Sequence, residues 1–180
     1  DFEIIVVNDN STDESLSILH RQRDPRLRFI SLCHNKGPGN ARNHGLQAAQ
    51  GEYIALQDAD DLSDYSRLER QAIFLEHENF VFVGTNIKVL NSSTVFKYEK
   101  DPFKIFRVQM NCKKPLPGAS AMFKRVVIDS GIRYDIRLRA GEDVLFEAEI
   151  QAKFPFQMTC IEDPLYIYRK HNDSLTHKRH

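Results

Sequence analysis

Short apolar runs alternate with polar, turn-forming stretches along the first third of the chain. "EIIVV" (Glu3 to Val7) is apolar and β-branched, as in a strand with neighbours on both sides. It ends in "NDNSTDES", where Asn, Asp and Ser favour a turn and Thr12 or Ser11 is placed to cap a helix through Leu16 and Leu19. "LRFISL" reads as a second strand and "EYIALQ" as a third. Between them, "NKGPGNARNHGLQAAQG" reads as a glycine-rich turn into a helix with Ala41, Gly45 and Ala48 on one face. Strand and helix alternating at this spacing predict an α/β fold, a mostly parallel sheet with flanking helices.

Farther along, "DYSRLERQAIFLEHE" predicts an amphipathic helix with Leu68, Ala72 and Leu75 near one stripe, followed by the apolar "FVFVG". The pattern then loosens. "NIKVLNSSTVFKYEK" reads as two strands joined by a polar turn, "DPFKIFRVQM" as a helix opened by proline, and "KPLPGASAMFKR" as a loop leading to a strand. "AGEDVLFEAEIQAK" predicts a helix with acidic residues at its N-terminal end, and "MTCIEDPLYIYRKH" a strand that runs into a basic, His-rich tail. The second half is therefore expected to be mixed. The strand-like start at residue 3, with no polar lead-in, is expected to lie inside a domain.

Composition changes this picture only by exclusion. A chain of 180 residues, 41% apolar, is long enough for one domain with a sizeable core. Its 25 basic and 25 acidic side chains cancel, so the electrostatic footprint of a general nucleic-acid binder is absent. No apolar run approaches the ~20 residues that span a bilayer. Cys33, Cys112 and Cys160 are far apart and lack metal-type spacing, which favours reduced thiols.

The densest chemistry lies in "LQDADDLSDYSR", which packs three carboxylates into four positions after an apolar run. Crowded carboxylates repel and raise one another's pKa unless a cation or strong donors compensate. An EF-hand loop is excluded, because its fifth and sixth positions would be Leu62 and Ser63 and a strand precedes it instead of a helix. Asp58, Asp60 and Asp61 at a strand's C-terminal end suit a divalent ion bound to a diphosphate, and equally suit a helix cap with an Asx turn. Without metal and nucleotide, this stretch is expected to be mobile or to carry raised pKa values.

Other segments are open in the same way. Asp9 could accept a hydrogen bond from a base or sugar, or simply form a turn. "NKGPGNARN", with Lys36 and Arg42, could face phosphate, though it has neither a Walker nor a dinucleotide spacing. Glu142 and Asp143 at a helix start are placed for capping, or for general-base chemistry if a hydroxyl comes near. His171, His177 and His180 show no zinc spacing.

Taken in order, "EIIVVNDNSTDES", "NKGPGNARNHGLQAAQGEYIALQDADD", "GED" and "YRKH" resemble the family 2 inverting glycosyltransferases of GT-A fold, a Rossmann-like α/β architecture whose N-terminal first strand is not seen here. The resemblance covers most of the chain and weakens between about Val81 and Lys114. It implies one domain over residues 1–180, with a nucleotide-binding part over about 1–84 and an acceptor side over about 85–180. It places Asp9 at the base of a sugar nucleotide, in a family that usually has a second Asp where this chain has Asn8. Arg42 falls near the nucleotide and phosphates, and Asp58 beside the ribose or donor sugar. Asp60, with Asp61 and His171, falls at the metal, and Arg169 belongs to the same late segment. Gly118 and Ala119 would line the donor and acceptor pocket, with Glu142 beside Asp143, the implied base.

The implied activity is metal-dependent transfer of a sugar from a nucleotide-diphosphate donor, a UDP-sugar, to a saccharide or lipid-linked acceptor, with Mn²⁺ or Mg²⁺ as cofactor and no nucleic-acid partner. A cytoplasmic location is implied, with peripheral association at the inner face of the membrane as its extension. The alternatives are a non-catalytic nucleotide- or saccharide-binding module of a larger protein and a nucleotidyltransferase, which would release pyrophosphate.

Overall fold

The computed structural model describes residues 1–111 and 113–171; Cys112, His177 and His180 lie outside the described residues. The chain divides into two compact units, Asp1–Ile54 with Arg125–Ala152, and Ala55–Lys124 with the chain from Lys153 on.

In the first unit, strand β1 (Ile4–Asn8) pairs in parallel with β2 (Leu27–Ser31), linked by helix α1 (Ser15–Arg21). Neither Ser11 nor Thr12 caps α1. The helix begins later, with Glu14 at the cap position, and Asp13 Oδ1 accepts the Ser15 N–H at 2.9 Å. Ser11 is drawn back instead, its N–H donating to Asn8 Oδ1 at 3.0 Å. Two carboxylate or amide turns have replaced the single expected cap.

Helix α2 (Pro38–Ala48) starts where Gly37 takes φ +93° and Pro38 sets the first turn. Its close approaches use glycine. A side chain at Gly39 would lie within 3.4–3.6 Å of Tyr134 Cβ, the Asp135 carbonyl and Glu142 Cγ, and Gly45 faces Val7 Cγ2 at 3.7 Å. Strand β3 (Tyr53–Ala55) follows and runs from the first unit into the second. Arg125 fixes the turn before β3: its backbone N–H donates to Glu52 O, and its guanidinium to Ala49 O and Gly51 O, each at 2.8 Å. The unit is completed by α5 (Val126–Asp129) and α6 (Glu142–Lys153), whose buried Val127, Ile128, Phe146 and Ile150 join Leu46 in the core.

The second unit is built on a mixed sheet. Strand β5 (Phe82–Val89) pairs in parallel with the long β8 (Met158–Tyr168), and antiparallel with β6 (Val95–Phe96) and β7 (Met122–Lys124). On the other side of β8 lies β4, only Leu62–Ser63, antiparallel to Ile167 and Tyr166. Helix α3 (Arg67–His77) and α4 (Pro102–Met110, capped by Asp101 on the N–H groups of Phe103 and Lys104) complete it. The polar turn expected after β5 is present, since Val89 N–H bonds Thr94 O as the chain reverses into β6.

The buried stripe of α3 is not the expected Leu68, Ala72 and Leu75 but Arg67, Gln71 and Leu75. Gln71 is accommodated because its amide donates to the Val83 carbonyl at 3.0 Å and the Ser120 carbonyl at 2.9 Å, in the interior between strand and turn. Among the described residues no helix is long and apolar enough to cross a membrane.

Candidate functional site

Each unit carries one constellation of the expected residues. In the first unit, Asp9 follows β1 and uses both carboxylate oxygens on the glycine turn, accepting the N–H of Lys36 at 3.0 Å and of Gly37 at 2.7 Å. The side chain thus holds the entry to α2 open in the shape that the positive φ of Gly37 requires. A turn role for Asp9 is realised, and a carboxylate oxygen retains lone pairs for a second donor.

Arg42, one turn inside α2, does not point freely toward solvent. Its Nη1 donates to Glu142 Oε1 at 2.9 Å, and its guanidinium lies 5.4 Å from the centre of the Tyr134 ring. Tyr134 in turn stacks on Phe146 at 4.2 Å, and Asn43 exchanges two hydrogen bonds with the Tyr134 backbone. Burial, the main cause, raises the Tyr134 phenol above its ordinary range, so it remains neutral. These contacts fix the first turn of α6. Glu142 is buried by its guanidinium partner, while Asp143 is half-buried and accepts the Val144 N–H at 2.9 Å. A carboxylate at this helix start also interacts favourably with the exposed N–H groups and dipole of the first turn.

The second unit carries the acidic loop. After β3, the Leu56 N–H bonds Ala121 O at 2.8 Å and the chain turns, with Asp61 N–H on Asp58 O at 3.2 Å. Four hydrogen bonds then fasten the loop to β8 and the residue after it. The Tyr166 hydroxyl accepts the Asp58 N–H at 3.1 Å and donates to Asp61 Oδ2 at 2.9 Å; the Arg169 N–H donates to Asp61 Oδ1 at 2.8 Å; and Asp64 N–H bonds Leu165 O at 2.8 Å. Gln57 and Ser63 close the mouth of the loop with a 2.6 Å hydrogen bond.

The crowded carboxylates therefore separate into different states. Asp61 is partly buried; burial pushes its carboxyl up, aided by the charges of Asp60 and Asp58, against the pull of its two donors. That upward shift owes most to burial, with the crowding of charge as a smaller contribution. Asp60 stays exposed and meets His171 Nε2 through Oδ2 at 2.8 Å. The sequence pattern showed no signal for Tyr166, Gln57 or Arg67 as builders of this loop, because each acts from an ordinary strand, loop or helix position.

Gly118 opens a buried 3₁₀ turn, Gly118–Ser120, before β7. The turn is anchored by Ser120, whose hydroxyl accepts the Thr85 N–H at 3.0 Å and contacts the Thr85 carbonyl at 3.1 Å. Pro117 packs against Gly84, where an added Cβ would lie 2.9 Å from Pro117 Cδ. Asp9, Arg42, Glu142 and Asp143 thus belong to the first unit, and Asp58, Asp60, Asp61, Gly118 and His171 to the second.

The sequence profile of glycosyl transferase family 2 matches residues 1–131. The chain belongs to glycosyl transferase family 2. An uncharacterized family glycosyltransferase of Methanocaldococcus jannaschii, MJ1057, is 30% identical over 180 residues, covering 94% of this chain and 60% of that protein. The structure of Staphylococcus aureus TarS in complex with UDP-GlcNAc superposes with a TM-score of 0.79 at 24% identity, covering 96% of this chain and 51% of that one. The Pyrobaculum calidifontis mannosyltransferase PcManGT, in complex with GDP-Man and Mn²⁺, gives 0.66 at 20% identity, over 97% of this chain and 49% of that one. At these identities the structural likeness establishes the fold, an α/β GT-A architecture with a mixed sheet and flanking helices. The chain spans 60% or less of the length of curated relatives such as MJ1057 and the succinoglycan biosynthesis protein ExoO of Rhizobium meliloti, of which it covers 47%.

Proposed function

We propose that this chain supplies the donor site and the base of an inverting, metal-dependent glycosyltransferase that moves a sugar from a UDP-sugar to a saccharide or lipid-linked acceptor. The observation that carries the reading is the arrangement of the acidic loop: Asp61 is held by hydrogen bonds from Tyr166 and Arg169, and exposed Asp60 is paired with His171. The related TarS and PcManGT structures, with UDP-GlcNAc and with GDP-Man and Mn²⁺, support a nucleotide-sugar donor.

The residues present fit a divalent cation. Among the described residues no cluster of three or more His, Cys, Asp or Glu could enclose one, but Mg²⁺ and Mn²⁺ need only one or two protein ligands when phosphates and water complete the shell. Asp60 and His171 would hold it, with Asp61 behind them as an anchor. When bound there it would supply positive charge against the diphosphate leaving group.

The protein's own groups do the rest. Asp9 and the Gly37 turn border the base and ribose, and Asp58 lies beside the donor sugar. Arg42 and Glu142 hold the start of α6 so that Asp143 can take the acceptor hydroxyl's proton. The acceptor oxygen bonds to the anomeric carbon as the carbon–oxygen bond to the diphosphate breaks, and the configuration inverts. Calorimetric titration of the chain with UDP, with and without Mn²⁺, followed by a screen of UDP-sugars for slow hydrolysis, tests the reading. Metal-dependent binding and release of UDP are expected. Release of pyrophosphate would point to nucleotidyl transfer, and binding without turnover in the complete protein to a non-catalytic module.

A further inference from the structure

A buried positive charge lies at the foot of the acidic loop, and the donor reading makes no use of it. Arg67 opens α3 and is 2% exposed. Its Nη2 donates to the Leu56 carbonyl at 3.0 Å, while Nε and Nη1 are buried without a hydrogen-bond partner among the described residues. Burial lowers its pKa to about 10, so the guanidinium is still charged at neutral pH. A charge removed from water at this cost, with two donors unused, calls for a reason beyond packing.

Its surroundings supply one. The Leu56 carbonyl stands just before the acidic loop, and the Arg67 N–H bonds Asp64 O at 3.0 Å just after it, so one residue ties both ends of the loop together. The guanidinium also lies 5.4 Å from the centre of the Tyr166 ring, a cation–π contact within the enclosed interior. Tyr166 is itself fully buried, and its hydroxyl is the group that accepts the Asp58 N–H and donates to Asp61. Guanidinium, ring, hydroxyl and loop form one continuous stack.

We propose that Arg67 and Tyr166 are positioning residues for the donor site: Arg67 pins the two ends of the acidic loop and the Tyr166 ring, and the Tyr166 hydroxyl sets the loop so that Asp60 is presented together with His171. This rests on the donor reading above. Neither side chain needs to touch the substrate, and Arg67 cannot, being enclosed. Lysine would keep the charge but not the flat face or the reach to the Leu56 carbonyl.

The test uses the full chain, with Tyr166→Phe as the main variant and Arg67→Lys and Arg67→Met beside it. Tyr166→Phe preserves the ring and removes only the hydroxyl. It is expected to raise the Mn²⁺ concentration for half-maximal UDP binding by about tenfold, the worth of one charge-assisted hydrogen bond. Turnover of a donor at saturating Mn²⁺ should return to within about twofold of the parent, a split that a general loss of stability would not produce. The Asp58 amide should also exchange with solvent about tenfold faster, having lost its acceptor. Arg67→Lys should fall between the parent and Arg67→Met.

A folded Tyr166→Phe chain with an unchanged Mn²⁺ requirement overturns the proposal. If Arg67→Met fails to fold, Tyr166→Phe still decides. Failure of the donor reading is seen separately, as absence of Mn²⁺-dependent UDP binding in the parent chain, whereas an unchanged Asp58 exchange rate in Tyr166→Phe refutes the anchoring itself.

Discussion

Arg42 Nη1 and Glu142 Oε1 stand 2.9 Å apart although 100 positions separate them in the chain. The pair joins the helix that follows the glycine turn to the helix start that carries Asp143. Because Glu142 is buried, removing its partner leaves a carboxylate short of compensation inside the protein.

Arg42→Met is therefore expected to destabilise the chain by about 2–3 kcal/mol, somewhat less than a fully enclosed pair because the arginine side chain is partly exposed. Adding Glu142→Gln should restore part of the loss. Urea unfolding of the two single variants and the double variant gives the coupling directly.

Asp143→Asn keeps the size and the Val144 N–H contact of the native side chain and removes its basicity. UDP binding with Mn²⁺ should be unchanged, while sugar transfer falls by roughly a thousandfold, the range for loss of a general base. Parallel titration and initial-rate measurements check this; full transfer activity would remove Asp143 from the role.

Gly84→Ala places a methyl carbon 2.9 Å from Pro117 Cδ and 3.1 Å from Pro117 Cγ, and a proline ring has little room to give. The expected cost is about 2 kcal/mol, with a melting temperature lower by several degrees. Because Pro117 precedes the Gly118 turn, donor affinity should weaken together with stability, which a melting curve and a UDP-sugar titration on the same sample would show.

Cys160 is enclosed on β8, and burial pushes its thiol up to about 12. An acid whose folded pKa is raised holds its proton in the native state after the unfolded chain has released it. The native state is then favoured less as pH climbs from about 9 toward about 12. Cys160→Ala should flatten that part of the stability profile in pH-dependent urea unfolding. In the same range exposed Cys33 should be alkylated while Cys160 is spared, as peptide mapping can read out.

The apolar runs made most of the fold legible, because strands such as Ile4–Asn8 and helices such as Pro38–Ala48 carry their own local signals. What escaped was set by distant partners. The two-residue strand Leu62–Ser63 exists only because β8 lies beside it, and nothing in "LS" announces that pairing. Arg67 and Gln71 fall outside the apolar stripe that the sequence predicts, yet carbonyls of Leu56, Val83 and Ser120 make the interior polar where they enter it. Likewise, the three aspartates were legible as a charged loop, but their division into an anchored Asp61 and an exposed Asp60 depends on Tyr166, Arg169 and His171 from the far end of the described chain.

That dependence orders events during synthesis. Strand β5 emerges from the ribosome long before β8, its parallel partner, and until residues 158–168 follow it offers an apolar strand with one edge unpaired. The acidic loop is in the same position, since the hydroxyl, amide and imidazole that arrange its carboxylates are all translated after them. The nascent chain thus carries these three aspartates as an unorganised anionic segment, which gains its hydrogen-bonded arrangement only once β8 and the residues just after it are in place.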